Sequence, residues 1–352
     1  MKDQRRQRSK RATAEDVARH LGVSQSTISR AFTPAASVSD DMRRKVIEAA
    51  AQLGYQPNVI ARSLITRRTN MVAIVIGNLV DPFYTTLLDT LMQHLRAAGK
   101  QTLLLSPGPG EHVDAVLPAL LQYQVDGIII TSATLSSEMA QICAQRETPV
   151  VLLNRYVPGV DIQAVSCDNV LGGRQIAEHL VALGHQRFAF VAGQPDSSTS
   201  LDRQQGFVST LAQLGFPSCA IEQGGEYSYE AGRTAAQRLL QREPPHAVFF
   251  ASDIMAFGGM DAFREAGMEV PGDISVAGFN DVPAATWPAY SLTTIRHPLE
   301  TMAQVVLRRL GLVPKEEPSC VGSTTLIRGE LVIRSSTGPR RTPDKDSVQL
   351  VA

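Results

Sequence analysis

The chain has 352 residues, a length that predicts two or three domains with ample material for hydrophobic cores. Its 34 Lys and Arg residues balance 34 Asp and Glu residues, and no apolar run approaches the roughly 18 residues of a membrane-spanning helix. The four cysteines are scattered, without a C-x-x-C pair or a histidine at zinc-finger spacing. These features argue against a membrane protein and against a zinc or disulfide scaffold. They predict a cytoplasmic protein that needs no metal or other cofactor.

The balanced total conceals a basic N-terminal part and an acidic remainder. Residues 1–70 hold 14 Lys and Arg against 6 Asp and Glu, whereas the other residues hold 20 against 28. A basic segment on an acidic body indicates that the segment binds a polyanion. For residues 1–11, a basic arm, the alternative is a tail that serves only solubility, but a patterned stretch follows it.

After the basic arm, the sequence has the pattern of three short helices. The first begins after Thr13 and ends at Gly22, the second is capped by Ser24, and the third runs from Ser39 to Gly54. Two short helices separated by a brief turn that contains glycine are typical of a helix-turn-helix. The apolar positions predict a small three-helix core of Val17, Leu21, Val23, Ile28, Val46, Ile47, Ala50 and Leu53.

The second of these helices carries polar side chains on the flank opposite Ile28, namely Gln25, Ser26, Ser29 and Arg30. In a helix-turn-helix, the second helix lies in the major groove of DNA with its N-terminal residues against base edges. Glutamine suits adenine, arginine suits guanine or a phosphate, and serine suits either. The alternative is a solvated surface helix of no functional consequence.

The segment "YQPNVIARSLITRRTN" follows the third helix. Pro57 forces the residue before it into an extended conformation, Asn58 can cap, and residues 59–64 could make about two turns of helix. A helix this short is marginal alone in water, so it needs support from DNA or a partner. The alternative is a plain linker with a few apolar residues.

The stretches "AEDVARHLGVSQSTISRAF" and "VSDDMRRKVIEAAAQLGYQPNVIARSL" resemble the DNA-binding head of the LacI/GalR (lactose repressor) family of bacterial transcriptional regulators. The resemblance implies that Gln25 and Ser26 hold the two variable base-reading positions. It implies that the family's more constant DNA contacts fall on Thr27, Ser29 and Arg30. The family head usually begins almost at the first residue, whereas a basic arm precedes it here. That arm adds phosphate contacts or does nothing.

The same resemblance implies that the short segment after Pro57 is a hinge helix that folds when operator DNA is bound. Its candidate DNA contacts are Asn58, Ala61 and Leu64. Ala61 would lie in the minor groove, and Leu64 would be the wedge at the central base step, a mechanism with general precedent.

From residue 70, short apolar runs alternate with helical segments. The strand-length runs are "MVAIVIG", "QTLLL", "DGIIIT", "PVVLLN", "RFAFVAG", "HAVFFAS" and "DISVAGF". Continuous apolar strands between helices indicate a buried parallel sheet with helices on both faces, and the alternation occurs twice. The expected fold class is an all-α helix-turn-helix head plus an α/β core of two doubly wound parallel-sheet subdomains.

The predicted boundaries follow these changes of pattern. The basic arm covers residues 1–11, the helix-turn-helix domain 12–57, and the hinge with its linker 58–69. The core covers residues 70–337, and a flexible tail covers 338–352. Within the core, subdomain one is expected at about residues 70–166 and 291–325. Subdomain two is expected at about residues 167–290 and 326–337.

The core lacks the motifs of common α/β enzymes, and we therefore expect no enzyme. No G-x-G-x-x-G follows the first strand, and neither a P-loop nor a G-x-S-x-G elbow occurs. Paired α/β lobes also form ligand clefts at the carboxyl ends of their strands. Polar residues stand at the predicted strand ends, namely Asn154, Arg155, Asp168, Ser252, Asp253, Asn280 and Asp281. Asp168 and Asp253 could equally be helix caps.

The segments "VVLLNR", "SLDRQQGF", "FFASDIMAFGGMDAF", "DISVAGFND" and "SLTTIRHP" are similar to the periplasmic-binding-protein-like effector core of the same family. The resemblance thus covers roughly residues 12–337. It implies an effector site in which Arg203 clamps the ligand, together with Phe83, Tyr84, Asn154, Tyr227, Ser252, Asp253 and Asn280. Asn280 stands where sugar-responsive members often have Asp, so a sugar acid or another anionic metabolite is as credible as a neutral sugar.

These features predict a homodimeric transcription factor, a repressor controlled by a small-molecule effector, with double-stranded operator DNA as its partner. A corepressor arrangement, in which the ligand strengthens DNA binding, is the main alternative. A metabolite-binding or catalytic α/β protein with an incidental basic tail is another. The last residues, with Pro339 and Pro343, lack the leucine heptads that join two dimers in some members, which favours a dimer over a tetramer.

Overall fold

The computed structural model describes residues 12–33, 36–56, 69–77, 80–108, 113–131, 148–314 and 324–341. It also describes five positions between residues 132 and 147. The chain divides into two compact units, residues 1–69 and 70–352, which we call the head and the core. The basic arm and the predicted hinge contacts lie outside the described residues; these contacts are Asn58, Ala61 and Leu64.

The head contains the three helices that the sequence predicts, α1 (Ala14–Leu21), α2 (Gln25–Ala31) and α3 (Asp40–Leu53). The Thr13 side chain and the Asp16 side chain form a reciprocal capping box at the start of α1, and Gly22 ends that helix at a φ of 64°. The Ser24 side chain accepts a hydrogen bond from the Thr27 amide and so caps α2. The three helices begin and end where the capping residues predicted.

The centre of the head is smaller than predicted. Its buried residues are Val17, Ala18, Ile28, Ala31, Val46, Ala49 and Ala50. The prediction was wrong for Ile47 and Leu53, which are 49% and 38% exposed. Ile47 lies on α3 away from the stripe of Val46, Ala49 and Ala50, whereas Leu53 continues that stripe but is the last residue of the helix. The i, i+3, i+4 spacing places those three residues, but not Ile47, on one face.

The core contains the predicted α/β alternation. Along the described residues the strands are β1 (Met71–Ile76), β2 (Gln101–Leu105), β3 (Gly127–Thr131), β4 (Val150–Leu153), β5 (Gln163–Cys167), β6 (Phe188–Ala192), β7 (Cys219–Gln223), β8 (Ala247–Phe250), β9 (Ser275–Ala277), β10 (Thr294–Arg296), β11 (Thr324–Ile327) and β12 (Glu330–Val332). Seven coincide with predicted runs. The prediction missed β5, β7, β10, β11 and β12, which are short, less apolar or close to a sheet edge.

The helices described in the core are α4 (Pro82–Ala97), α5 (Leu117–Leu120), α6 (Asn169–Ala182), α7 (Ser198–Gln213), α8 (Tyr229–Leu240), α9 (Asp253–Glu265) and α10 (Leu299–Arg309). Residues 113–123 form α5 and two single 3₁₀ turns instead of one continuous helix. Pro118 lies there, and proline removes a helical hydrogen bond. None of the described helices is long and apolar enough to cross a membrane.

The strands form two main parallel sheets. The first has the order β11-β5-β4-β3-β1-β2, and the second has the order β7-β6-β8-β9. Strands β1, β3, β4, β6 and β8 are buried along nearly their whole length, as expected for a parallel sheet covered on both faces. We call the parts around the first and second sheets lobe one and lobe two.

The chain crosses between the lobes later than predicted. Bridges join Ala277 to Thr293 and Asn280 to Arg296, so the segment from residue 291 onward first runs along the second sheet. Helix α10 then packs on α4, β4 and β5 of lobe one. Strand β11 belongs to the first sheet throughout, two residues beyond the predicted boundary at 325. These extra strand residues pair through backbone groups, which side-chain pattern does not reveal.

Candidate DNA-reading face and effector cleft

Helix α2 presents its polar side chains to solvent. Ile28 is fully buried against the other head helices, and exposed side chains cover the opposite flank: Gln25, Ser26, Ser29 and Arg30. Thr27 is half-buried. The structure therefore brings four of the five predicted reading residues onto one exposed surface, beside the fifth.

Local hydrogen bonds organise this surface. Ser24 Oγ lies 2.8 Å from Ser26 Oγ and 2.9 Å from Thr27 Oγ1, so the cap also orients the first turn of α2. Arg30 Nε donates to the Ser26 carbonyl at 3.3 Å, which lays the guanidinium along the helix. Gln25 is the first residue of α2 and is exposed. Side chains at the N-terminal end are those that reach base edges in a helix-turn-helix.

In the core, α4 begins at the carboxyl end of β1 with a buried carboxyl group. Asp81 is 2% exposed, and its Oδ1 accepts a hydrogen bond from the Phe83 amide at 3.0 Å. Burial raises the pKa of Asp81 to about 6, against the opposing effects of that hydrogen bond and of the Arg203 charge. The sequence prediction missed Asp81, although an Asp-Pro pair in the loop after a strand marks a helix start.

Arg203 of α7 lies at the centre of the site and is 2% exposed. Its Nε donates to Asn169 Oδ1 at 2.9 Å, and its Nη1 donates to the Ala251 carbonyl at 2.5 Å. The guanidinium carbon stands 3.7 Å from the centroid of the Phe279 ring, a cation–π contact. Burial lowers the pKa of Arg203, and the nearby Tyr227 opposes that effect.

Tyr84 of α4 is buried beside Asn154 and Arg155, which follow β4. Burial raises the pKa of the Tyr84 phenol, and the charge of Arg155 and a hydrogen bond from Asn154 oppose the rise. Asn154 has a left-handed φ of 68°, an uncommon conformation that aims the side chain from the end of β4. Asn154 Oδ1 and Arg155 Nε are buried and have no hydrogen-bond partner among the described residues. Buried polar atoms of this kind favour a ligand or water.

Tyr227 closes the lobe-two side of the cluster. Its hydroxyl lies 3.1 Å from Ser197 Oγ and 3.3 Å from Thr199 Oγ1, and all three residues are buried. This network fixes the ring beside Arg203. The structure thus brings together four predicted residues, namely Tyr84, Asn154, Arg203 and Tyr227.

A second group of predicted residues lies around His297. Its Nε2 is 3.2 Å from Asn280 Oδ1, and its ring centroid is 4.6 Å from that of Phe83. Burial lowers the pKa of His297 well below its usual range, with a smaller effect from Arg203, so the ring is neutral and donates from Nε2. Asn280 has a φ of 129°, a strained conformation of the kind that clusters at ligand sites. The sequence prediction missed His297.

Phe83, Asn280 and His297 line a cavity of about 450 Å³ between α4, residues 280–282 and the start of α10. The lining of this cavity does not include Arg203, Asn154, Tyr227 or Ser252. That volume is within the usual range for small-molecule pockets. Its wall includes Phe83, Thr86, Asn280 and His297. Trp287 is 56% exposed and does not line this cavity.

The remaining predicted residues have structural partners. Asp253 is fully buried and accepts hydrogen bonds from Thr294 Oγ1 at 2.6 Å and from the Val282 amide at 2.9 Å. Burial raises the pKa of Asp253 to about 7, although both hydrogen bonds oppose the rise. Asp168 caps α6, accepting from the Leu171 amide at 2.9 Å. These contacts favour the cap or tether role for both aspartates.

Ser252, the neighbour of Asp253, is different. It stands at the start of α9, yet its side chain makes no capping hydrogen bond. Its Oγ is buried without a hydrogen-bond partner in the described part of the chain. The hydroxyl is therefore available to a bound molecule.

The two lobes also touch at the rim of the cleft. Tyr156, which packs on the core of lobe one, donates its hydroxyl to Asp202 of α7 at 2.9 Å. Arg155 Nη2 donates to Gln194 Oε1 at 3.2 Å. Burial raises the pKa of Tyr156 to about 12, and the hydrogen bond and negative charge of Asp202 add to the rise. We call the Tyr156–Asp202 pair the rim clasp.

The polar groups of the cleft suit the hydroxyl and carboxylate groups of a ligand. Among the described residues, no group of three His, Cys, Asp or Glu side chains could hold a metal ion. Arg155 and Arg203 supply positive charge in a buried setting, where charge-assisted hydrogen bonds are strong.

Comparison with known proteins agrees with both parts of the chain. The family model described as "Bacterial regulatory proteins, lacI family" matches residues 13–58, and the model "Periplasmic binding protein-like domain" matches residues 177–337. The transcriptional regulator DegA of Bacillus subtilis is 32% identical over 94% of this chain and 100% of its own.

Solved structures show the same relationship. The lac repressor dimer bound to operator and the anti-inducer ONPF has a TM-score of 0.82 at 28% identity, covering 94% of this chain and 100% of that one. The transcriptional regulator CelR in complex with cellobiose has a TM-score of 0.66 at 29% identity, covering 93% and 100%. The resemblance found in the sequence is therefore confirmed. The chain belongs to the LacI family of bacterial transcriptional regulators.

Proposed function

We propose that this chain is a homodimeric repressor that binds operator DNA through its head and responds to a small molecule bound in the cleft of its core. The observation that carries the proposal is the exposed polar face of α2 opposite the buried Ile28. A helix of this kind in a basic head has the features of a major-groove reader. The relatives are named as transcriptional regulators, which supports the same function.

Within the head, we assign base reading to Gln25 and Ser26 and grip on the DNA backbone to Thr27, Ser29 and Arg30. Three further contacts are proposed in the hinge, outside the described residues: Asn58, Ala61 and Leu64. The helix-turn-helix domain then ends near residue 57 and the hinge near 69, which agrees with the division of the chain into two compact units.

Selection of duplexes from random DNA, followed by a gel shift at several salt concentrations, tests this proposal. We expect an enriched, roughly palindromic sequence, because a two-fold symmetric dimer binds two half-sites. The logarithm of its affinity should fall steeply with the logarithm of salt, by about 0.9 for each phosphate contact. A chain that binds no duplex, or binds all of them alike, would instead be a metabolite-binding protein with an incidental basic tail.

For the effector we assign an anionic small molecule that also carries hydroxyl groups, such as a sugar acid. Arg155 and Arg203 are both buried in the cleft, and Asn154 Oδ1 and Ser252 Oγ await hydrogen-bond donors. Asn280 offers an amide where a carboxylate would repel an anion. A neutral sugar is the second candidate, since the solved relative CelR was captured with cellobiose.

The substitution Asn280→Asp distinguishes the two effector classes. For an anionic effector, the added negative charge should weaken binding by about 1 kcal/mol or more. For a neutral sugar, the charged acceptor should tighten binding, because it makes stronger hydrogen bonds than an amide oxygen. Calorimetric titration of both proteins with a ligand found by thermal-shift screening measures the difference. Tighter binding of an uncharged ligand by the variant would contradict the anionic assignment.

If the effector relieves repression, effector binding and operator binding must oppose each other. Effector and operator must each weaken the binding of the other by the same factor, because the coupling free energy is reciprocal. Operator titrations with and without saturating effector measure that factor. A ligand that tightens operator binding would make the protein a corepressor-type regulator. Analytical ultracentrifugation at the same protein concentrations would test whether the protein is a dimer.

A further inference from the structure

Arg43 fastens the C-terminal end of the reading helix to α3. Its Nη1 donates to the Ala31 carbonyl at 2.6 Å and to the Thr33 carbonyl at 3.1 Å, and its Nη2 donates to the Ala36 carbonyl at 3.3 Å. The side chain is half-buried within the head. One guanidinium therefore binds the last residue of α2 and two positions of the connection that leads to α3.

The chemistry of these contacts requires an arginine. The last carbonyls of a helix have no partner within the helix, and they form the negative end of its dipole. A guanidinium presents five donors in a rigid plane, so it can serve three carbonyls at once. A lysine ammonium keeps the charge but is a compact point on a flexible stem, and it cannot hold the same three acceptors in place.

Helix α2 has few other anchors. It is seven residues long, and Ile28 and Ala31 are its buried residues. Its C-cap residue Phe32 also packs on the head core and against the Tyr55 ring. These apolar contacts lie along one side of a short helix and leave its roll some freedom. The three hydrogen bonds from Arg43 attach the far end of α2 to the longer α3 and so remove that freedom.

The neighbouring Arg44 provides an internal comparison. It lies on the same helix with the same charge, but its side chain is 74% exposed and faces Asp41 at 3.7 Å. No described contact joins Arg44 to α2. A given substitution at Arg43 or at Arg44 therefore has the same effect on the charge of the head, but only at Arg43 does it remove the hydrogen bonds that hold α2.

We propose that Arg43 is a positioning residue for base reading: it sets the orientation in which α2 presents Gln25 and Ser26 to base edges, without itself binding DNA. This inference rests on the proposed operator binding. It adds a determinant of specificity that lies on α3 and that works entirely through hydrogen bonds to backbone carbonyls.

The test compares Arg43→Lys with Arg44→Lys in the full-length protein. The probes are the duplex that the wild-type chain selects from random DNA and a scrambled duplex of equal length and composition, titrated by fluorescence anisotropy at several salt concentrations. Arg43→Lys should weaken binding to the selected duplex about tenfold, comparable with one mismatched base pair, and should leave scrambled binding within about twofold. The salt slope should stay unchanged, and Arg44→Lys should match the wild type throughout.

Three results would overturn the proposal. An unchanged ratio of selected to scrambled affinity in Arg43→Lys would show that α2 is positioned without the arginine. Equal losses on both duplexes, with a smaller salt slope in Arg43→Ala than in Arg44→Ala, would make Arg43 a phosphate contact. A head that melts below the assay temperature, seen by circular dichroism, would make Arg43 a residue of the fold. If the wild type itself prefers no duplex, the proposed function fails along with this inference.

Discussion

The head and the core place their functional polar residues in opposite environments. On α2, Gln25 and Ser26 are exposed, and their neighbours bond mainly within the same helix turn. In the core, Arg203 is 2% exposed and bonds to groups from two other elements, Asn169 and the Ala251 carbonyl. The residues of the reading face lie on the surface of the head, outside its hydrophobic core, whereas the cleft residues are themselves buried in the core.

This difference predicts how each site responds to substitution. An exposed side chain outside any network contributes little to folding, so its replacement changes recognition alone. A buried arginine with hydrogen-bonded acceptors contributes to folding and to binding at once, because its loss leaves those acceptors unsatisfied. The four predictions that follow test this contrast, beginning with the largest expected effect.

Arg203→Ala should remove the effector response and lower the free energy of unfolding of the core by about 3 kcal/mol, because two buried acceptors lose their donor. Urea titration measures the stability, and calorimetry measures ligand binding. Arg174→Ala on α6 is the matched control, since Arg174 is an exposed arginine paired with Glu178. An Arg203 variant as stable as that control would show that the cleft, like the reading face, is separate from the fold.

Replacing Gln25 and Ser26 together by alanine should cost about 1–3 kcal/mol of discrimination for each base pair they read. The free energy of unfolding should fall by no more than about 1 kcal/mol, because both side chains are exposed and one hydrogen bond, between Ser26 Oγ and Ser24 Oγ, is lost. Repeating the duplex selection measures the first effect, and thermal unfolding measures the second. Ile28→Ala is the contrasting control, expected to destabilise the head through a core cavity. Selection of the original sequence by the double variant would mean that these residues do not read bases.

Asp81→Asn should stabilise the core by about 2 kcal/mol near pH 7.5 and change little near pH 4. The folded pKa of Asp81, about 6, is raised above its unfolded value. The stability that this carboxyl contributes is therefore complete below the unfolded pKa and is lost as pH rises through about 6. An amide retains the acceptor for the Phe83 amide and removes the buried charge. Urea midpoints between pH 4 and 8 check this; parallel curves for the two proteins would contradict it.

Tyr156→Phe should have the smallest effect, weakening effector binding by about 1 kcal/mol or less, the worth of one hydrogen bond. The rim clasp holds the lobes together at the edge of the cleft, so its loss favours separation. Tyr123, which is 57% exposed, supplies the control substitution Tyr123→Phe. Calorimetry with the screened ligand measures the change. Tighter binding by Tyr156→Phe would mean that the clasp opposes the ligand-bound arrangement.

Much of the fold was readable from local pattern. The capping residues Thr13, Ser24 and Ser39 marked the starts of three helices, and seven apolar runs marked buried strands. The pattern failed where neighbours in space decide. Ile47 is apolar but exposed. Strand β10 has three residues, too few to show an alternation of apolar and polar side chains, and it pairs with β12 through backbone groups.

The candidate sites divide in the same way. A period of 3.6 residues is a local property of the chain, so the sequence alone could place Gln25, Ser26, Ser29 and Arg30 opposite Ile28 on α2. It could also place polar residues at strand ends, because parallel strands finish at one edge of a sheet.

Only the tertiary structure could assign partners to those residues. Asp253 became a tether for Thr294 and the Val282 amide, while His297, unremarked in the sequence, came to join Phe83 to Asn280. Phe83 and His297 are more than 100 positions apart in the chain and meet through packing, which depends on the whole chain. Local sequence therefore determined which elements exist and which face of α2 is polar, whereas long-range contacts decided which buried polar groups hold the fold and which remain available to a ligand.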